Sequence, residues 1–548
     1  MNKLIKKNFV ALTFCFIVAL GVFLRFYQLG LNPPSLTWDE ASLGYNAYSV
    51  YKTGADEYGV KFPLSIRSFD DYKPPLYVYL TIPFVAVFGL NELAVRLPAA
   101  LIGIAAICTI YFLVKEILLN WDKNKSKWIA LLSAFFLAIS PWHLQFSRAA
   151  FEGNVGMFFL ILSLFLFFKA FKNKYLYIFF AISFVASIYS YHSFRLINLI
   201  LLIVLFFLFY KKLILQKILV SISVITIFAL SFPVYKDFIS SSGTGSRLSM
   251  VTIFSEPSIL AKSAKNVEIA KKKHDLLGEI INNRRLIVLP FIIKGYFDHL
   301  NFDFLFLHGD QGVQHHAYNM GMLYLWDFPF IVVGVTFLLK KIDRRILLLF
   351  LLFFVAPLPS AITTGTPHPV RAIAMIPAFQ IFSSVGFIFA LLFLRRYKFG
   401  IIANYIVVVA LILNFTYYLK SYYVDTPIKY GYFWQYGNKE AIEYTRQHEN
   451  EYKKIVMTYK IDQPYIYYLF YNKIDPVWYQ NNWAEKGNIG RFERKIGKYE
   501  FRYIDFDKDS KEKDTLLIGV PDEIPQGAKV IKEIRYLDGS VVYRIVKT

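Results

Sequence analysis

From Phe9 to Leu419 the chain is a succession of apolar runs separated by short polar or basic segments. The runs are roughly 15 to 22 residues long, the length a helix needs to cross the hydrocarbon core of a bilayer. Helices satisfy their own backbone donors and acceptors, which lipid cannot do, and the alternating pattern of a membrane barrel is absent from the sequence. The pattern therefore predicts an α-helical polytopic membrane protein. About eleven spanning helices are expected, with cores near residues 9–27, 94–114, 128–144, 155–168, 175–191, 196–210, 218–232, 323–339, 346–362, 372–394 and 401–419.

Basic clusters at Lys3–Lys7, Lys115–Lys127, Lys169–Lys174, Lys211–Lys217, Lys340–Arg345 and Arg395–Lys398 recur after every second run. Short loops rich in Lys and Arg stay cytoplasmic, so the N-terminus is expected inside the cytoplasmic membrane and the tail outside it. Leu76–Leu90 contains Pro83 and is short for a crossing. Counting it as a span would invert every later cluster, so it is expected to lie along the outer interface, as is Leu286–Tyr296. Three outer segments are then long: residues 30–93, 236–321 and everything after Lys420. The more polar tail carries a helix-like stretch at 439–449 and strand-like stretches at 454–459 and 530–546. The expected division is a membrane-embedded part, 1–422, and a small extracytoplasmic α/β domain, 423–548.

Composition sharpens this picture little. Of 548 residues, 56% are hydrophobic, and mean hydropathy is +0.41, values far too apolar for an ordinary soluble chain. The net charge of +22 is not a nucleic-acid signal, because the cations sit in the short clusters between apolar runs. Cys15 and Cys108 both fall inside apolar runs and offer neither a disulfide framework nor a thiolate metal site. The basic start followed by an apolar stretch without a small-residue cleavage signal is expected to be a retained anchor.

Candidate chemistry lies in the outer segments. The first begins Asn32-Pro33-Pro34-Ser35-Leu36-Thr37-Trp38-Asp39-Glu40, with two adjacent carboxylates just beyond the first helix. Acids at the hydrocarbon edge are costly unless paired or hydrated, which marks them as functional candidates. The plainer alternative is a solvated start to the helix-like stretch Ala41–Tyr51. Further along, Phe69-Asp70-Asp71-Tyr72-Lys73-Pro74-Pro75-Leu76 places Lys73 immediately before the interfacial helix, where it could hold a lipid phosphate or simply snorkel to the headgroups. Asp70 and Asp71 admit a divalent metal, but a carboxylate pair alone defines no site, and no metal ligand is assigned.

Trp38-Asp39-Glu40, Lys73-Pro74-Pro75-Leu76 and Ala94-Val95-Arg96-Leu97-Pro98, in that series, resemble the integral-membrane glycosyltransferases of the GT-C fold, on the bacterial branch related to protein O-mannosyltransferases and lipid A aminoarabinose transferases. The resemblance is sharp over the first third of the chain and only architectural over the tail. It implies a sugar donor carried on polyprenyl phosphate and an active site beneath the first outer loop. It also implies that Asp39 matches the family's catalytic base, that Glu40 is the second acidic position, and that Lys73 contacts phosphate. Ser140-Pro141-Trp142-His143-Leu144-Gln145-Phe146-Ser147-Arg148-Ala149-Ala150-Phe151-Glu152 is also family-like; relatives carry Asp near Glu152, and Arg148 and Glu152 become candidates to bind substrate or to pair inside the bundle.

The chemistry also stands without the resemblance. A sugar phosphodiester already has a good leaving group, so the acceptor hydroxyl is what needs a base, while cations stabilise the departing phosphate. Further cations available on the outer side are Arg247, His368 and Arg371, the last well shaped for bidentate phosphate binding and equally suited to an interfacial structural role. His315 and His316 near Asp310 could ligate a metal but lack a further spaced ligand and are read as loop residues; Tyr318, Tyr324 and Trp326 could contact sugar or isoprenoid but are read as an interfacial belt; Ser242-Gly243-Thr244-Gly245-Ser246 could form an anion nest but is read as a turn. The expected activity is inverting transfer from a polyprenyl-phosphate sugar to a protein, lipid or envelope-glycan acceptor. A transporter and a non-catalytic glycan-binding scaffold are the competing classes; the charged residues at the rim rather than the midplane favour the enzyme.

Overall fold

The structure, a computed structural model, describes residues 3–69, 71–239, 251–484 and 493–548. Arg247, Asp70 and the 242–246 string lie outside the described residues. The helices in the first half are α1 (Lys3–Phe26), α2 (Trp38–Thr53), α3 (Leu76–Phe88), α4 (Glu92–Ile117), α5 (Lys123–Ile139), α6 (Pro141–Arg148), α7 (Glu152–Ala170), α8 (Leu176–Ile188), α9 (His192–Ile214) and α10 (Lys217–Ile239). Among the described residues eight helices are long and apolar enough to span a membrane, or nine if α5 and α6, bent by 56° at Ser140, form one span. The chain is a multi-pass membrane protein. The expected eleven spans are reached only by adding α8 and the helix Asp327–Leu339, each 13 residues. At 1.5 Å per residue these cover about 20 Å, short of a hydrocarbon core of about 30 Å. The stretch at Leu76 is indeed a short helix with an internal Pro83, and the second interfacial stretch is the helix Leu289–Asp298.

The chain divides into two compact units. One comprises residues 1–25, 101–147 and 151–418, and its core runs through Ile107, Leu137, Phe146, Leu160, Phe184, Phe194 and Phe382, all buried. In it the helices Asp327–Leu339 and Ile376–Leu394 meet at Gly334 and Gly386. A Cβ on Gly334 would sit 1.9 Å from the Phe382 carbonyl oxygen, and one on Gly386 1.8 Å from that of Phe330. Only glycine permits so close a crossing, the usual way helices pack where lipid removes the hydrophobic driving force.

The other unit comprises residues 26–100, 148–150 and 419–548, so residues 30–93 fold together with the tail. A small antiparallel ribbon pairs β1 (Ile66–Ser68) with β2 (Asp71–Lys73). The tail carries the helix Asn438–Gln447 and a six-stranded mixed sheet built from β3 (Lys454–Met457), β4 (Arg494–Ile496), β5 (Tyr499–Phe501), β6 (Thr515–Gly519), β7 (Val530–Arg535) and β8 (Val541–Lys547), in the order β4-β5-β3-β6-β8-β7. β3 is parallel to both β5 and β6; the other pairs are antiparallel. The expected α/β tail is present, and the strand-like stretch 530–546 is a hairpin of two strands.

Candidate active site

The start of α2 is fixed by a capping box. Thr37 accepts the Glu40 backbone N–H at 3.2 Å, and the Glu40 carboxylate accepts that of Thr37 at 3.1 Å, which satisfies two of the donors a helix start leaves open. Asp39 therefore sits in the first helical turn, where the helix dipole favours a negative charge. Its side chain is 53% exposed and is paired with Lys73, which is only 6% exposed. Lys73 is the last residue of β2, opposite Ile66 of β1, and Ser68 of β1 is joined to Ser42 of α2 by a hydroxyl–hydroxyl bond of 2.8 Å. The acid and the cation are thus held by two elements bonded to each other.

Glu40 turns the other way, into the protein. Arg96 of α4 donates Nε to its Oε1 at 2.9 Å and Nη2 to its Oε2 at 3.1 Å. The Ala150 N–H adds a third bond to Oε1 at 3.0 Å. The remaining guanidinium donors go to the carbonyls of Leu29, Pro33 and Ser35 at 3.2, 2.8 and 2.6 Å. Both side chains are buried. Arg148 does a similar job nearby: it donates to the carbonyls of Tyr27 and Asn32 at 2.7 and 2.9 Å and to the Tyr422 hydroxyl at 3.0 Å. It also lies over the Tyr422 and Tyr423 rings. From the tail, Gln435 accepts the Trp38 N–H at 3.0 Å, and the Tyr467 hydroxyl lies 3.0 Å from both Gln435 and the Leu36 carbonyl.

The membrane unit holds the remaining candidates. Arg371 donates to the Thr363 hydroxyl at 2.6 Å and the Thr364 carbonyl at 2.8 Å, stapling the loop that contains Gly365–His368. The His368 N–H donates to Nε2 of His299 at 3.0 Å, and His299 Nδ1 donates to the Gly295 carbonyl at 2.7 Å. Burial pushes the His299 imidazole down to about 4, so it is neutral and its tautomer is set by these two bonds. A polar cleft of about 490 Å³ opens here, lined by Asp303, His308, Asp310, His315, Thr366 and His368. In it Asp310 holds Nδ1 of His315 at 2.7 Å, both side chains nearly buried. The His315 ring lies between those of Phe146 and His368, with centroids 5.9 and 5.1 Å away. Glu152 opens α7. Tyr324 is a buried core residue stacked on Trp326 and bonded to the Ile139 carbonyl at 2.6 Å rather than part of an exposed belt. Among the described residues no three His, Cys, Asp or Glu side chains converge as a metal set.

The model of the dolichyl-phosphate-mannose-protein mannosyltransferase family matches residues 72–235. No curated protein matches the sequence. Among solved structures, ArnT from Cupriavidus metallidurans bound to undecaprenyl phosphate superposes over 97% of this chain and 97% of its own, at 12% identity and a TM-score of 0.53. The apo state of the same protein gives 98% of both chains and 0.52. The chain has the GT-C fold. The archaeal oligosaccharyltransferase AglB from Archaeoglobus fulgidus, in complex with an inhibitory peptide and a dolichol-phosphate, shares the GT-C fold at 14% identity and a TM-score of 0.52; this chain covers 64% of its length.

On this GT-C frame, the residues nominated from sequence separate into three settings. Asp39 and Lys73 are together. Glu40 and Arg148 are buried and occupied by protein partners. His368 and Arg371 belong to the loop at the cleft in the membrane unit. The sequence contains Arg96 within a family-like motif but gives no sign that it binds Glu40, Gln435 and Tyr467 carry no sequence signal strong enough to single them out, and Asp310 with His315, read from sequence as loop residues, form a nearly buried pair.

Proposed function

We propose that this protein is a glycosyltransferase that moves a sugar from a polyprenyl-phosphate donor to an acceptor hydroxyl on the outer face of the cytoplasmic membrane, with Asp39 as general base. The observation that carries this reading is the pairing of a half-exposed Asp39 with a buried Lys73 on a rigid frame. The likeness to ArnT and to the mannosyltransferase family model over residues 72–235 supports the lipid-linked donor.

In the proposed reaction the acceptor oxygen attacks the anomeric carbon as the bond from that carbon to the phosphate oxygen breaks. The hydroxyl proton passes to Asp39, and the electron pair of the broken bond leaves with polyprenyl phosphate. Lys73 has three N–H donors, one directed at Asp39, and the others stabilise the charge arriving on the phosphate. A single displacement inverts the anomeric centre. Glu40, with both oxygens engaged, is a positioning residue, and Arg148 fixes the loop that carries the acids. His368, Arg371 and Glu152 are candidate substrate contacts within the membrane unit alone, where Asp310 orients His315.

The test is transfer of radiolabelled sugar from polyprenyl phosphate in membranes containing the parent, Asp39→Asn or Lys73→Ala. Transfer by the parent alone is expected. Transfer that survives both substitutions would remove Asp39 and Lys73 from the chemistry, and a product with retained anomeric configuration would exclude the single displacement.

A further inference from the structure

At the end of the membrane unit that bears the Lys169–Lys174 and Lys211–Lys217 clusters, a groove of about 270 Å³ runs between α7, α8, α9 and α10. Its walls include Phe167, Phe180, Leu205, Phe206 and Val220, and Phe206 is 55% exposed, so the groove opens sideways toward lipid. One polar feature is out of place. The Tyr177 side chain lines this apolar groove and is 1% exposed, yet its hydroxyl has no hydrogen-bond partner among the described residues. A buried hydroxyl without a partner is costly, and an ester oxygen of a lipid seated in the groove would supply one.

The chain segments that border the groove are rich in lysine. Lys174 lies three residues before Tyr177, Lys212 adjoins the groove residue Leu213, and Lys217 lies three residues before Val220. Lys174, Lys211, Lys212 and Lys217 are all exposed, and none forms an ion pair within 4 Å among the described residues. Of the acids near this end of the bundle, Glu116 is bound to Lys169 at 2.8 Å and Arg345 at 3.4 Å and also faces Lys172, while Asp343 and Asp122 accept backbone N–H groups at helix starts. Exposed lysines in the segments that border an apolar groove between helices suit a lipid with an anionic head.

We propose that this groove is a binding site for one anionic phospholipid. An acyl chain fills the space between α8 and α9, an ester oxygen accepts the Tyr177 hydroxyl, and the phosphate lies among Lys174, Lys211, Lys212 and Lys217. The site lies at the end of its own unit that bears the lysine clusters and serves to anchor these four helices in the membrane.

The experiment is native mass spectrometry of the full-length protein released from nanodiscs containing phosphatidylglycerol and phosphatidylcholine in equal amounts. The parent is expected to retain one phosphatidylglycerol with about tenfold preference. Lys211→Gln/Lys212→Gln/Lys217→Gln, which changes only exposed side chains, removes the preference, and Val220→Trp, which fills the groove, removes the retained lipid. Lys340→Gln/Lys341→Gln, in a different basic loop, leaves both unchanged. Equal retention of the two lipids by the parent would make the groove ordinary annular surface and overturn the proposal, as would a preference that survives the triple substitution.

Discussion

Asp39 and Glu40 are adjacent in sequence but one helical step apart in direction, and that step separates a carboxylate 53% exposed from one that is 3% exposed. Identical chemistry therefore predicts unlike consequences. Asp39→Asn keeps the shape and removes the proposed base, so transfer is expected to fall about 10²- to 10⁴-fold; Asn still offers Lys73 an acceptor, so the drop in melting temperature is expected to be smaller than in Arg96→Ala. Arg96→Ala strands the Glu40 carboxylate without its cation in a buried site and is expected to cost about 3–5 kcal/mol of stability. Adding Glu40→Leu to Arg96→Ala should recover part of that loss in a detergent melt, because the uncompensated charge is then gone; no recovery would mean that the loop carbonyls, not the ion pair, dominate. The two acids are legible in sequence as a pair at the hydrocarbon edge. Their division of labour is not, because the groups that occupy Arg96 are largely backbone carbonyls, which every residue has and no sequence pattern advertises.

Between elements, the acidic residues that follow α2 meet the sheet of the tail. Glu57 is fully buried, its N–H is held by Asn46 at 3.0 Å, and Arg494 of β4 lies over the Tyr465 ring in the same unit. Burial pushes the Glu57 carboxyl from 4.5 up to about 8, against the opposing pull of Arg494 and Arg67 and with added push from Asp56. The folded state then binds this proton more tightly than the unfolded chain, so the contribution to stability is full below about 4.5 and is lost as pH rises to about 8. Melting temperature is expected to decline across that window in the parent and less so in Glu57→Gln; Asp56, also raised by burial, keeps the variant from becoming flat. An unchanged slope would show that Glu57 does not titrate there. At this scale the sequence predicts well where periodicity is strong, as in the helix Asn438–Gln447 and strand β3. It misses β4 and β5, three residues each, since so short a strand gives period-two alternation no room to register.

For the whole molecule, apolar run length foretells a polytopic membrane protein but blurs the count, because α8 and Asp327–Leu339 are apolar without being long. Composition also hides what the tail touches: a composition change near Tyr423 marks the tail, while the tail's Gln435 and Tyr467 bond the Leu36–Trp38 stretch. Deleting residues 423–548 is accordingly expected to abolish transfer and to loosen that loop, read as new protease cleavage around residues 30–60. Retained activity in the truncated chain would show that the membrane-embedded part suffices. A further consequence lies in Arg96. All its hydrogen bonds described above run to the protein itself, to Glu40 and to three loop carbonyls, so the entropy of ordering this loop is lost when the chain folds rather than when a substrate arrives. Amide exchange in residues 29–40 should therefore be slow in the resting protein and nearly unchanged by donor, as in a lock already cut before the key is made.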